Sequence, residues 1–252
     1  MRMYLLNYGV TYVDKGIVLT VGRDIGQIVP TPIWGALVDT GQKLVLVDTG
    51  MNPVHIEDPD ATFRGTEMSG KINPVVNEEN LALNQIKSCG YSPDDVSIVI
   101  NTHLHFDHCG GNLFFPGAEF VVQRGHYQWA IQNNSSCPRR DFDLKDTKWR
   151  FVDGDCELLP GVRLITTPGH VPGHQSVVIN LRNSGPAIIA SDAVFLRETM
   201  EPGAPITAHD KDIFYQSIEK IKDLCNNIGG TLYVSHEQAL WDTWKHAPQY
   251  YD

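Results

Sequence analysis

Residues 101–111 read NTHLHFDHCGG and place three histidines and an aspartate within six positions: His103, His105, Asp107 and His108. A surface loop gains nothing from such crowding, and a buried loop must satisfy every polar atom it carries. A cation held between the side chains meets both demands. In an extended stretch His103 and His105 alternate and can point the same way; Asp107 and His108 follow as the chain turns. Three more polar residues stand where apolar runs end: His170 in ITTPGHVPGH, Asp192 after AIIAS and His236 after TLYVS. Together these are five histidines and two carboxylates, offering imidazole nitrogen and carboxylate oxygen but no thiolate. Such a set can hold two divalent ions if one aspartate bridges them. Two ions can lower the pKa of a shared water, supplying hydroxide near neutral pH, while one polarises a carbonyl oxygen.

The elements that must position these residues are short apolar runs closed by turns. Residues 44–48 (LVLVD) end at Thr49-Gly50 and read as a buried strand, and residues 96–100 (VSIVI) as another, so the 101–111 cluster follows a strand end. Further strands are expected at 119–123, 162–166, 175–181, 187–190 and 231–234. Asn77 can cap a helix over 78–89, with Ala82, Ile86 and Cys89 on one face and Gly90 as its stop. A second amphipathic helix begins near Asp212, with Phe214, Ile218, Ile221 and Cys225 as its apolar stripe. Strands outnumber helices and are often joined by short turns. That pattern favours packed sheets covered by helices, a mixed α/β (α+β) fold, over regular βαβ alternation.

The chain has 252 residues, of which 42% are apolar and 20% charged, enough for one large domain spanning 1–252. No repeat or linker-like tract divides it. With 30 acidic against 20 basic residues the net charge is -10, without a Lys/Arg run, which opposes a nucleic-acid partner. The five cysteines are odd in number, scattered and free of any C-x-x-C pair, which suits a reducing, cytoplasmic setting. The N-terminus does not read as a signal peptide and no stretch reaches the length of a membrane span. The Asn-x-Ser matches at Asn133 and Asn134 are therefore set aside. Oligomeric state is not legible.

Isolated histidines at 55, 126, 209 and 246 read as surface or satisfied core residues and are given no role. His174 shares the loop of His170 and reads as structural or supporting. Cys109 reads as a small buried residue in the turn. Asp48 could orient a ligand histidine or simply shape its own turn. Phe106, between ligands, can line a substrate pocket or pack beneath the metals.

The series His103-x-His105-x-Asp107-His108, then Gly-His170, Asp192 and His236, resembles the metallo-β-lactamase superfamily. The resemblance implies an αββα sandwich with a dinuclear site at one edge of the two sheets. It implies that His103, His105 and His170 hold one metal, that Asp107, His108 and His236 hold the other, and that Asp192 bridges them. More narrowly, PIWGALVDTGQKLVLVDTGM, CGYSPDD, THLHFDHCGG, VVQRGHY and TPGHVPGHQS look like the N-acyl homoserine lactonases. In those enzymes a tyrosine commonly follows the bridging aspartate by three residues. Here Phe195 takes that place and cannot donate a hydrogen bond.

The resemblance implies hydrolysis of an N-acyl homoserine lactone by hydroxide bridging two divalent ions, zinc by default, with cobalt, iron or manganese also compatible. Asp107 is then the proton shuttle to the ring alkoxide, and Phe106 and Phe195 are substrate contacts. The alternatives are a hydrolase of another lactone or carboxylic ester, or a metal-binding domain without catalysis. Only EQALWDTWKHAPQYYD follows His236, which disfavours a glutathione thioesterase with its added helical region. There is no room for the flavin domain of a diiron oxygen reductase. An RNA-processing role is opposed by the charge. A β-lactamase is opposed by the reducing setting and by Asp192 where a thiolate would stand.

Overall fold

The computed structural model describes residues 1–133 and 135–252; Asn134, one of the two Asn-x-Ser positions, lies outside the described residues. Seven strands form the first sheet: β1 (Arg2–Asp14), β2 (Ile28–Asp39), β3 (Leu44–Val47), β4 (Ile72–Val75), β5 (Val96–Ile100), β6 (Glu119–Gln123) and β7 (Lys148–Val152). Five form the second: β8 (Cys156–Leu159), β9 (Val162–Thr166), β10 (Gln175–Leu181), β11 (Gly185–Ser191) and β12 (Thr231–Val234). The orders are β4-β1-β2-β3-β5-β6-β7 and β12-β11-β10-β9-β8.

Strand alternation sorts side chains into layers. On β1, Met3 and Leu5 face the second sheet, where they join Val45, Val47, Ile100, Val162, Leu164, Val177 and Ile189 in the central core. Tyr4 and Leu6 point the other way, onto Ile86 of helix Ala82–Ser88. The outer face of the second sheet carries Ile165, Val178 and Ile188 against Leu224, Cys225 and Ile228 of helix Lys211–Ile228. Helix, sheet, sheet and helix thus stack as the expected αββα sandwich. Because both faces of each sheet are covered, strands such as β3 and β10 are buried almost throughout.

Two expectations need correction. The helix over 78–89 is broken: Asn77 caps a 3-10 turn, Glu78–Asn80, through a reciprocal pair with Asn80. Leu81 is then extended (φ -63°, ψ 137°) before the α-helix starts at Ala82. The strand expected over 44–48 stops at Val47, because Asp48 has φ +58° and turns the chain out of the ladder. Helix Lys211–Ile228 starts within a residue of its expected position, with Asp210 accepting from Ile213 N and Gly229 closing it at φ +61°.

Pairing direction decides where the polar strand ends gather. β3 and β5 are parallel, so Asp48 and the 101–108 segment leave the first sheet at one edge. β11 and β12 are parallel, and β9 runs antiparallel to β10, which is itself antiparallel to β11. The chain after β9, β11 and β12 therefore leaves the second sheet at a common edge.

Candidate metal centre

That edge brings together all seven candidate donors. His103, Asp107, His108, Asp192 and His236 are buried, and His105 and His170 are partly so. Around one carboxylate oxygen, Asp192 Oδ2, lie His170 Nε2 at 3.3 Å and His103 Nε2 at 3.7 Å. His105 Nδ1 is 3.0 Å from both His103 Nε2 and His170 Nε2. Around the other oxygen, Asp192 Oδ1, lie His108 Nε2 and His236 Nε2, each at 3.3 Å. Asp107 Oδ2 is 3.7 Å from His108 Nε2. Metal–ligand bonds of 2.0–2.1 Å in a tetrahedron put donors about 3.3–3.4 Å apart. The donor separations bracket that value on both sides of Asp192.

Neighbouring acceptors fix which nitrogen of each ring faces inward. Asp48 accepts from His108 Nδ1 at 2.8 Å, from Thr102 N at 2.8 Å and from Thr102 Oγ1 at 2.7 Å. The Pro32 carbonyl accepts from His236 Nδ1 at 3.1 Å. Both rings therefore present an unprotonated Nε2 to Asp192 when neutral. His108 Nε2 is buried and has no hydrogen-bond partner. A buried ring nitrogen without a partner, facing a carboxylate, fits a cation in the gap once the ring is neutral.

The turn carrying Asp48 is itself locked. Tyr8 Oη donates to the Asp48 carbonyl at 3.1 Å, and Thr49 N donates to the His108 carbonyl at 2.8 Å. Gly50 (φ +72°) lies so close to the Tyr8 ring that a Cβ would sit 2.5 Å from Cγ. Among the described residues four non-glycine positions have positive φ, and two are at this site: Asp48 (+58°) and Ser191 (+48°), which precedes Asp192. Each such residue stores on the order of 1 kcal/mol of strain that the surrounding contacts must hold. Thr102 Oγ1 and Ser191 Oγ meet at 2.8 Å, tying the two strained turns together across the sheets. Ser235 Oγ donates to Asp192 Oδ1, and Trp34 Nε1 to the Ser235 carbonyl at 2.7 Å.

The two clusters differ electrostatically. Burial holds His103 and His105 well below the usual imidazole range and pushes His170 down to about 4. At His108 and His236 burial pulls the same way, but Asp192 and Asp107 outweigh it and hold both rings up. Asp192 is held well below the carboxylate range: burial favours its neutral form, and His236 and His108 overcome that. Burial pushes Asp107 up.

A cavity of about 190 Å³ opens over the donors. His105, Asp107, His170, Asp192 and His236 form its floor; Val13, Ile17, Leu19, Phe63, Met68, Phe106 and Phe195 form much of its wall. Phe106 both lines this space and packs edge-on against Phe63 and His55, at 5.0 and 5.4 Å. Phe195 lies edge-on to His170 at 5.0 Å and stacks on His236 at 6.0 Å. A larger groove of about 720 Å³ along helix Lys211–Ile228 is open, lined largely by polar and charged side chains, and remote from the donors. Chemistry therefore belongs to the smaller space.

His174 is buried, with Nδ1 2.9 Å from Thr167 Oγ1, and Cys109, expected in a turn, is fully buried at the end of the short helix Phe106–Cys109. Neither belongs to the donor clusters, as expected. Sequence reasoning did not find Thr102, Ser191, Ser235 or Thr207. The first three are polar residues at strand ends, the signal that did identify Asp192 and His236. Thr207 Oγ1 is buried without a partner in a residue that lines the cavity.

A two-sheet sandwich with histidines and carboxylates converging at its strand ends defines a metal-dependent hydrolase. The chain belongs to the metallo-beta-lactamase superfamily, whose family model matches residues 29–236. It is 33% identical to an N-acyl homoserine lactonase of Bacillus cereus over 99% of this chain and 98% of that one. It is 30% identical to the N-acyl homoserine lactonase AttM of Azorhizobium caulinodans over 100% of this chain and 98% of that one. A solved N-acyl homoserine lactone hydrolase, with its product N-hexanoyl-L-homoserine at the catalytic metal centre, superposes with TM-score 0.92 at 31% identity, covering 99% and 98% of the two chains. The resemblance read from the sequence holds over the whole length.

Proposed function

We propose that this protein opens the ring of N-acyl homoserine lactones, with His103, His105, His170 and Asp192 holding one divalent ion and Asp107, His108, His236 and Asp192 the other. The observation that carries the reading is the position of Asp192, whose two oxygens each face a separate pair of imidazole nitrogens at 3.3–3.7 Å. The nitrogen and oxygen donors suit zinc, and accept cobalt, iron or manganese. Two bound ions supply an activated water near neutral pH and polarise the scissile carbonyl.

The remaining work falls to the chain. Hydrolysis adds water across the ring C–O bond: a C–O bond forms at the carbonyl carbon, the ring C–O bond breaks, and the alkoxide must gain a proton. Asp107, at the cavity floor, would take a proton from the water and return it to the alkoxide. His108 and His236 must lose protons before they can bind an ion, so metal uptake at that cluster strengthens as pH rises. Phe106 and Phe195 close the cavity around an apolar acyl chain. The Thr207 hydroxyl is free to meet the polar part of the substrate, a contact that Phe195 cannot make. Five unpaired cysteines support a reducing, cytoplasmic setting.

Acid release measured by pH-stat on metal-loaded protein tests the reading, using short- and long-chain acyl homoserine lactones with a p-nitrophenyl ester and a β-lactam as controls. Turnover of the homoserine lactones above both controls is expected. Preference for the p-nitrophenyl ester would move the assignment to a broader ester hydrolase.

A further inference from the structure

His126 is not among the converging donors, yet it is fully buried beside them in helix Arg124–Ala130. Its two ring nitrogens reach two different loops. Nε2 accepts from the backbone N of Leu104 at 2.7 Å, between His103 and His105. Nδ1 lies 2.8 Å from the carbonyl oxygen of Pro172, two residues beyond His170. A backbone N–H only donates and a carbonyl only accepts, so these partners select one state of the ring: neutral, with its proton on Nδ1. Leu104 is buried, and without His126 its N–H would face the core with no acceptor.

A second contact seats the same loop on the same helix. Gly173 (φ +68°) approaches so closely that a Cβ there would lie 2.6 Å from His126 N. The His126 ring also lies edge-on to that of His103, 6.2 Å away centroid to centroid.

We propose that His126 is a positioning residue, a neutral clamp that sets the separation of the 103–105 and 170–174 segments and so the triangle of His103, His105 and His170. The inference rests on the proposed metal reading of that triangle. The clamp joins segments 22 and 46 residues away in sequence. Both of its hydrogen bonds are lost together if the ring is replaced by an apolar one. A glutamine side chain carries an acceptor and a donor on one amide, so it can serve both partners where phenylalanine serves neither.

The test compares full-length wild type, His126→Gln and His126→Phe. Zinc affinity of the metal-free proteins is read by competition with a chromophoric chelator, and the His126 ring nitrogens by ¹⁵N NMR in metal-free wild type. His126→Phe is expected to weaken one of the two ions by about tenfold or more, the scale seen when groups supporting metal ligands are lost. His126→Gln is expected to stay within about threefold of wild type. The ring is expected to show a protonated Nδ1 and a bare Nε2. Wild-type affinity in His126→Phe, or equal losses in both variants, overturns the clamp. A ring protonated on Nε2 also overturns it, and this arm decides the matter if His126→Phe does not fold. Wild-type protein that takes up no zinc while showing the expected tautomer would overturn the metal reading and leave the clamp standing as a feature of the fold.

Discussion

Replacing Asp48 with asparagine changes almost no volume but breaks a hydrogen-bond logic. Asp48 Oδ1 accepts from Thr102 N, while Oδ2 accepts from both Thr102 Oγ1 and His108 Nδ1. Asparagine has one acceptor oxygen. The Thr102 N–H cannot turn away, so the oxygen stays with it and the new NH2 faces the hydroxyl and the imidazole. The hydroxyl can rotate and accept. His108 cannot accept until its proton moves from Nδ1 to Nε2, the nitrogen that faces Asp192 at 3.3 Å. The alternative is two donors facing each other in a buried site, at about 1–3 kcal/mol. Either way the second ion loses about 1–3 kcal/mol, which at 1.4 kcal/mol per decade is about 5–150-fold in affinity. Chelator competition on metal-free Asp48→Asn would read this, with thermal melting to confirm a folded protein. A folded variant that binds both ions as tightly as wild type would refute the claim that Asp48 sets the tautomer of His108.

Three further outcomes are expected. Asp107→Asn removes the proposed proton carrier and should lower lactone kcat by about 100-fold or more even with both ions bound; near wild-type turnover would remove Asp107 from the mechanism. Phe195→Tyr places one hydroxyl among His170, His236 and Phe214, in a pocket shaped without it. Lactone kcat/KM should change by less than about tenfold, or about 1.4 kcal/mol, and a much larger gain would mean that this lactone is not the natural substrate. Asp141 is buried, with one oxygen unpartnered, and burial raises its carboxyl from 3.8 to about 7. The folded state thus holds a proton on Asp141 that the unfolded state releases, so this group's contribution to stability falls as pH rises from about 4 to about 7 and then levels off. Asp141→Asn, which does not titrate, should gain on wild type over that window, by at most about 4 kcal/mol. Urea denaturation at pH 4.5 and pH 8 would show this, and an equal difference at both would contradict it.

The residues that converge were legible because they follow apolar runs: VSIVI before the 101–108 segment, AIIAS before Asp192, TLYVS before His236. The strands read most easily are those buried almost throughout, β3, β5 and β10. β1 was not legible, because Gly9 (φ +98°) and a register shift between Asn7 and Val10 interrupt its alternation. β7 (KWRFV) carries two basic residues in five, and β8 (CELL) has no β-branched residue, so neither signals a strand. The break at Leu81 was hidden because a 3-10 turn and an α-helix share the same capping chemistry at Asn77. His126 could not be distinguished from an ordinary core histidine, since both of its partners are backbone groups far away in sequence. His103 and His236 announce themselves by residue type at a strand end; a clamp between loops exists only once the sheets have met.

The central claim is that two ions on this one donor set open a homoserine lactone. The direct measurement is acid release from an N-acyl homoserine lactone while metal-free protein is titrated with zinc. Activity should be absent at the start and level off at about two equivalents per chain, as the proposed sharing of Asp192 between two ions requires. Full activity at one equivalent, or none at any loading, would contradict the account.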